Sequence, residues 1–285
     1  MRFVTVEHAG QERAGVIEED HVYLFEEGAT VLDLVRRGLP AALEAGDQVL
    51  DSGPSVPLDQ LRLRAPLAPP SIRDFVAFEE HVEGMVKGGS RDATVADEWY
   101  AAPTFYFSNP HAIIGHGDEV AIPPGCQDLD FELEVAAVIG RDGYSVAPGD
   151  AEQHIFGYLI LNDWSARDLQ RFEMRVGLGP AKGKDFATTL GPYLVTADEF
   201  AEMVDDEGFL PLALKASVNG DVVGRDLLSN MGWPFRDLVA YASRGTWVRA
   251  GDVLGSGTCG NGGCLAELWG RRGEQTPPPL TAGDV

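Results

Sequence analysis

The chain has 285 residues, enough to bury a full core, and 44% of them are hydrophobic, which excludes a disordered protein. With 45 acids against 22 bases its formal charge is -23, a field that repels phosphate and argues against nucleic acid or anionic membrane surfaces as partners. No basic-then-apolar leader opens the sequence and no apolar run approaches the ~20 residues that span a bilayer, so a soluble, cytoplasmic protein is expected.

In chain order, the N-terminus reads as short alternating strands over Arg2–Glu7, Ala14–Glu18 and Val22–Phe25, followed by helical patterns over Thr30–Arg37 and Ala41–Leu50. The proline-rich stretch Pro54–Pro70 cannot hold a long helix and marks a boundary, with a small α/β domain over residues 1–64 and a larger one over 65–285. The larger part opens with Phe75, Phe78 and Val82 at helical spacing. Asp74 just ahead of them suits a helix cap, and His81 is a surface histidine on its residue type alone. Gly84–Asp97 is polar and glycine-bearing, the composition of a mobile flap, and a histidine carried on a flap can close over a substrate. Pro103–Pro110 is aromatic and extended, with Tyr106 in it, and Val120–Ile122 reads as a further strand.

The stretch Asp128–Val135 alternates strictly between acids and apolar residues. As one strand it puts Asp128, Asp130, Glu132 and Glu134 on a single face, either a solvated edge or a place where something positive binds. His154–Leu161 is a nearly continuous apolar strand that delivers Asp163 at its tip, with Arg167 and Gln170 following on one face of a helical turn. The glycine-rich run Gly177–Pro192 lacks the spacing of a phosphate loop, so no nucleotide is indicated, and Lys184 within it either reaches a pocket or faces solvent. Asn219-Gly220 marks a hairpin, Leu238–Ala242 a helix, and Gly251–Thr258 and Leu265–Trp269 two strands around a glycine loop. Glu267 sits uncomfortably between apolar neighbours there. Cys126, Cys259 and Cys264 are odd in number, form no C-x-x-C pair and have no histidine at zinc spacing, so they read as free thiols and not as zinc ligands.

The ordered set Asp74…His81, Tyr106, Asp130-Phe-Glu-Leu-Glu134, Asn162-Asp-Trp-Ser-Ala-Arg-Asp-Leu-Gln170, Gly183-Lys-Asp-Phe-Ala-Thr-Thr189, Gly257-Thr258 and Ala266-Glu-Leu268 resembles the fumarylacetoacetate hydrolase family from about residue 70 onward. The resemblance implies an α+β, mainly β fold, with a small N-terminal domain and a mixed β-roll or β-sandwich C-terminal domain, and a homodimer. It implies one Mg²⁺, Mn²⁺ or Ca²⁺ held by Glu132, Glu134 and Asp163, with Asp74 matching a further ligand. His81 matches the water-activating base and Glu267 its partner. Lys184, Arg167 and Gln170 match charge-offsetting groups, and Tyr106 and Thr258 match substrate contacts. The implied activity is hydrolysis of a C–C bond in a small anionic 1,3-diketone-type oxo acid, such as an acylpyruvate. The alternative is a catabolic 2-oxo-acid isomerase, hydratase or decarboxylase, of the hydroxyheptadienedioate isomerase or oxaloacetate decarboxylase type. Hard oxygen ligands suit such ions, and a chelated enolate is stabilised by them. Two departures from the family pattern are Glu79-Glu80 directly before His81 and an end at Val285, where members usually continue into a last strand.

Overall fold

Strictly apolar positions in the central run Leu133-Glu-Val-Ala-Ala-Val-Ile139 face both ways, so that segment must lie between two packed layers. The computed structural model describes residues 1–90 and 92–285 and shows this arrangement. Its elements begin with β1 (Arg2–His8), β2 (Gln11–Glu18), β3 (His21–Leu24), α1 (Val31–Arg37), α2 (Leu39–Ser52), β4 (Ser55–Pro57) and β5 (Arg62–Arg64). Then come β6 (Ile72–Phe75), α3 (Glu79–Gly89), α4 (Asp97–Ala101), β7 (Phe105–Ser108), β8 (Ile113–Ile114), β9 (Leu129–Asp130) and β10 (Leu133–Ile139). Next are β11 (Gly143–Tyr144), α5 (Pro148–Ala151), β12 (Ile155–Asp163), β13 (Ser165–Ala166), α6 (Arg167–Glu173) and β14 (Thr188–Thr196). The chain closes with β15 (Ala213–Val218), β16 (Asp221–Leu227), α7 (Phe235–Ser243), β17 (Trp247–Val248), β18 (Val253–Gly255) and α8 (Leu265–Arg272).

A 12-stranded mixed sheet runs β4-β3-β2-β1-β14-β12-β10-β18-β6-β7, with β5 beside β1 and β8 beside β14. Ala136 and Val138 of β10 join one apolar cluster with Phe3, Leu34, Phe156 and Leu190, while Val135, Ala137 and Ile139 join another with Phe235, Leu238 and Leu254. The fold is therefore mixed α and β around one large sheet, as expected. The N-terminal strands enter that sheet through the antiparallel pairing of Arg2 with Val195 and Phe3 with Leu194. No helix of the described residues is long and apolar enough to cross a membrane. The Asn219-Gly220 turn is as expected, with both residues at positive φ (52° and 86°) closing β15 on β16.

Five expectations are corrected. Asp128–Val135 is not one strand: pairing stops at Phe131-Glu132 between β9 and β10, and Asp130, Glu132 and Glu134 are all buried, so the solvated-edge reading fails. Asp74 is a residue of β6 and caps no helix. Leu265–Trp269 is helical, its Leu265 and Trp269 one turn apart on the buried side, with Gly273 in the left-handed conformation that ends α8. Gly84–Gly89, expected as flap, continues α3, and Gly84 is buried against α8; Arg91 of that stretch lies outside the described residues. Val120–Ile122 forms no strand.

Helices α3 and α8 approach through glycines. A Cβ on Gly84 would meet Glu267 Cγ at 2.3 Å, and one on Gly270 would meet the Gly84 carbonyl oxygen at 1.9 Å. In a free helix Gly270→Ala would stabilise by about 1 kcal/mol. Here the forced separation reverses the sign, and we expect a loss of about 1–3 kcal/mol in urea unfolding. An unchanged or raised midpoint would refute this close packing.

Candidate metal centre

Asp74 lies in β6, Glu134 in β10 and Asp163 at the end of β12, and the strand order puts β18 between the first two. Register sets Gly255 of β18 beside Asp74 on one side and Ala136 on the other. A Cβ there would lie 2.5 Å from Asp74 Oδ1 and 2.9 Å from Glu134 Oε2, so the missing side chain is the space in which the two carboxylates meet. Glu132 enters from the break between β9 and β10, where its backbone N–H donates to Asn162 Oδ1 at 3.0 Å. Ligand oxygens of Asp74, Glu132 and Glu134 lie within 4.8 Å of one another.

Two cations answer these acids. The loop before β14 passes over α6 at Gly183, where a Cβ would lie 2.7 Å from the Gln170 backbone, and it delivers Lys184 into the interior. Lys184 Nζ donates to Glu132 Oε2 (2.5 Å) and Asp163 Oδ2 (2.7 Å). Tyr106, on β7, also donates its hydroxyl to Asp163 Oδ2. Arg167, fully buried at the start of α6, pairs through Nη1 with Glu132 Oε1 at 2.7 Å and donates to Gln170 Oε1 at 3.1 Å. Its Nε donates to Asp130 Oδ2 at 2.9 Å. Asp130 also accepts from the backbone of Leu265 (2.8 Å) and Ala266 (2.9 Å), which fixes the first turn of α8 against the same arginine.

His81 and Glu267 come together from α3 and α8, with His81 Nδ1 3.9 Å from Glu267 Oε2 and Arg271 Nη2 3.0 Å from Glu267 Oε1. Thr258 is buried beside Gly257, whose N–H donates to Glu134 Oε2 at 3.2 Å. The candidate site residues are thus all buried or half-buried, and those from Asp74 to Lys184 and the His81–Glu267 pair converge through Glu132, while Thr258 is buried next to Gly257. Sequence reasoning did not assign Asp130, Gly255 or Cys264 to this site. The Asp130-x-Glu-x-Glu134 alternation held a signal for the first, but nothing local marked the other two.

Charge is out of balance. Asp74, Asp130, Glu132, Glu134 and Asp163 are each at most 4% exposed. Among the described residues, Lys184 and Arg167 pair with Asp130, Glu132 and Asp163, while Asp74 and Glu134 make no ion pair. Burial raises Asp74 to about 7, with Asp163 adding to the effect. Burial, then Asp74, pushes Glu134 well up, and burial outweighs Lys184 to raise Asp163. Burial opposes ionisation of Glu132 too, but Lys184 and Arg167 overcome it and hold that carboxyl below its ordinary range. Asp74 Oδ1, Glu134 Oε1 and Asp163 Oδ1 have no hydrogen-bond partner among the described residues. Unpartnered buried carboxylate oxygens cost free energy unless a cation completes them. An all-oxygen donor set with three such atoms fits Mg²⁺, Mn²⁺ or Ca²⁺.

Residues 71–285 match the family model described as fumarylacetoacetate (FAA) hydrolase C-terminal. The chain is 32% identical to the fumarylacetoacetase of Arabidopsis thaliana over 258 residues, 74% of this chain and 61% of that protein, so it spans less than two thirds of that relative. It is 31% identical to the human mitochondrial oxaloacetate tautomerase FAHD2A over 237 residues, 82% of this chain and 67% of that one. Among solved structures, a fumarylacetoacetate hydrolase from psychrophilic Exiguobacterium antarcticum superposes with a TM-score of 0.77 at 28% identity, covering 100% of this chain and 93% of the other.

Gly255→Ala touches no ligand chemically, yet its Cβ would sit between Asp74 and Glu134; we expect it to weaken Mg²⁺ binding about 100-fold by calorimetry, as loss of a supporting contact does. Unchanged affinity would place the ion elsewhere. Because the Asp74 carboxyl is raised in the fold, the folded state binds the extra proton, and metal-free protein should lose stability as pH rises from about 4 to about 7. Asp74→Asn should flatten that slope in denaturant titrations at several pH values, and an equal slope in the variant would disprove the assignment.

Proposed function

The chain belongs to the fumarylacetoacetate hydrolase family, and from that premise we propose that it is a divalent-metal-dependent hydrolase cleaving a C–C bond in a 1,3-diketone-type oxo acid, an acylpyruvate or fumarylacetoacetate-like compound. The observation that carries this reading is the His81–Glu267 pair standing beside the carboxylate cluster, since moving a double bond needs an enolate but no activated water. Asp74, Glu132, Glu134 and Asp163 would hold the ion. Bound there, Mg²⁺, Mn²⁺ or Ca²⁺ supplies Lewis-acid stabilisation of an enolate and open positions for a chelating oxo acid.

The side chains supply the rest. Glu267 faces Nδ1 of His81, which leaves Nε2 to take a proton from water as its oxygen attacks the acyl carbonyl carbon. Lys184 offsets the charge that develops on the acyl carbonyl oxygen as the π electron pair moves onto it, and Arg167 with Gln170 holds the substrate carboxylate, while Tyr106 and Thr258 bound the substrate. When the tetrahedral centre collapses, the C–C bond breaks and its electron pair leaves as the enolate carbon of the second acid. The His81 imidazolium returns its proton to that carbon. Burial of His81, Glu267, Lys184 and Arg167 keeps bulk water from competing.

The tautomerase name of one relative supports a second reading, an isomerase, hydratase or decarboxylase of a 2-oxo acid, which would use the carboxylates and cations without the base. A homodimer also belongs to the proposal, supported by the exposed apolar residues Phe172 in the last turn of α6 and Met174, Val176 and Leu178 just after it.

The test is an ultraviolet assay of metal-stripped protein with Mg²⁺ added back, on a panel of acylpyruvates and oxaloacetate, with products identified by mass. Metal-dependent cleavage to two acids is expected. His81→Ala should lower that cleavage about 10²–10⁴-fold and spare metal affinity, whereas Glu134→Ala should remove both. Enolisation or CO₂ loss without hydrolysis, or full hydrolysis by His81→Ala, would overturn the assignment.

A further inference from the structure

A second group of side chains of ligating type shares Glu132 with the Asp74–Glu132–Glu134 group. His81 Nδ1 stands 3.7 Å from Cys264 Sγ, across 183 residues of sequence. Ligand atoms of His81, Glu132 and Cys264 all lie within 4.8 Å of one another. The three are 6%, 4% and 0% exposed. Behind them Glu267 Oε2 has no hydrogen-bond partner among the described residues and faces the same Nδ1.

These donors differ in kind from the all-oxygen set. An imidazole nitrogen, a sulfur and a carboxylate suit a borderline-soft ion, and they are the donors by which proteins bind zinc. A tetrahedral ion with Zn–N of about 2.05 Å and Zn–S of about 2.3 Å holds those two ligand atoms about 3.5 Å apart. The observed separation of 3.7 Å needs almost no rearrangement. Cys264 also begins α8, where its sulfur accepts the Glu267 backbone N–H at 3.4 Å, so its position is held by the helix terminus.

We infer that His81, Cys264 and Glu132 form a zinc-binding site distinct from the carboxylate centre and sharing only Glu132 with it. Binding converts the Cys264 thiol to thiolate and releases one proton to solvent. On the reading that His81 is the base, which this consequence rests on, the site is inhibitory. With zinc on Nδ1 the neutral ring carries its proton on Nε2, where it can donate but cannot accept one from water. Glu267 loses its partner at the same time. The activating ion and the inhibiting ion then act on one another through the shared carboxylate.

The experiment uses the full chain saturated with Mg²⁺ and titrated with Co²⁺ as a spectroscopic stand-in for Zn²⁺. One equivalent should bring a near-ultraviolet thiolate-to-cobalt charge-transfer band, which Zn²⁺ abolishes by displacement. Cys264→Ser, whose hydroxyl can keep the helix cap, should lose the band, and Zn²⁺ affinity should fall about 100-fold. His81→Gln should weaken the band in the same titration and serves should the first variant fail to fold. Co²⁺ bound to the unaltered chain without a charge-transfer band, or an undiminished band in Cys264→Ser, would overturn the site. A band present while Zn²⁺ leaves turnover untouched would support the site and refute His81 as the base.

Discussion

Five carboxylates drawn out of water beside two cations repel one another, and that repulsion is the constraint around which the structure is built. Asp74, Asp130, Glu132, Glu134 and Asp163 lie inside the molecule, with Lys184 and Arg167 between them. Desolvating each ion costs on the order of several kcal/mol, and attraction repays it only where geometry is close and every oxygen is engaged. Asp130 meets that condition, with its four contacts to Arg167 and to backbone N–H groups of Phe131, Leu265 and Ala266. Asp74, Glu134 and Asp163 do not, because each leaves an oxygen bare. The first carboxylate is a structural anchor, and the other three are strained groups whose relief requires a further positive charge.

The sheet makes this concentration of charge possible by leaving things out. The strand between β6 and β10 would fill the centre with a side chain, but at that level it carries Gly255. Gly257 follows at positive φ (79°), pressed against the backbone at Phe75 and Val76, so that the loop can turn a main-chain N–H onto Glu134. Gly183 performs the same service for Lys184 by letting its loop lie against α6. In each case a backbone approaches where an ordinary residue would force it away.

The acid alternation from Asp128 to Glu134 was readable because it is local and because alternating carboxylates are costly to place without a cause. The same residues misled about secondary structure. Period two implies a continuous strand, whereas the hydrogen bonds of Asp130 and Glu132 to α8, Arg167 and Asn162 interrupt it. Leu265–Trp269 misleads for a related reason: Glu267 between apolar neighbours looks like strand alternation over five residues, and the helix shows only in the one-turn spacing of Leu265 to Trp269. The Gly84 region looked mobile because glycine is ambiguous in one dimension. Its cause is Gly270 on another helix, a contact no window of sequence contains. The nearness of His81 to Cys264 is of the same order, since a spacing rule for zinc ligands is blind to residues brought together by folding.

A division of labour follows from where these groups are attached. The candidate oxygen ligands sit on or beside strands β6, β10 and β12, tied by ladders of hydrogen bonds into the 12-stranded sheet. His81 and Glu267 sit instead on α3 and α8, two helices that meet through glycine contacts and carry no ladder between them. On the proposed reading, ion binding is therefore set by the sheet and proton transfer by the helix pair, and a change in helix packing can alter the second while sparing the first. Glu132 is the junction, because it lies in the interrupted segment between β9 and β10 and touches both cations as well as the histidine side of the site. On the proposed reading, the same enolate chemistry can end in hydrolysis or in a moved double bond according to whether α3 and α8 hold a base within reach of water. Here α3 and α8 bring His81 Nδ1 to 3.9 Å from Glu267 Oε2, the placement on which the hydrolytic reading rests.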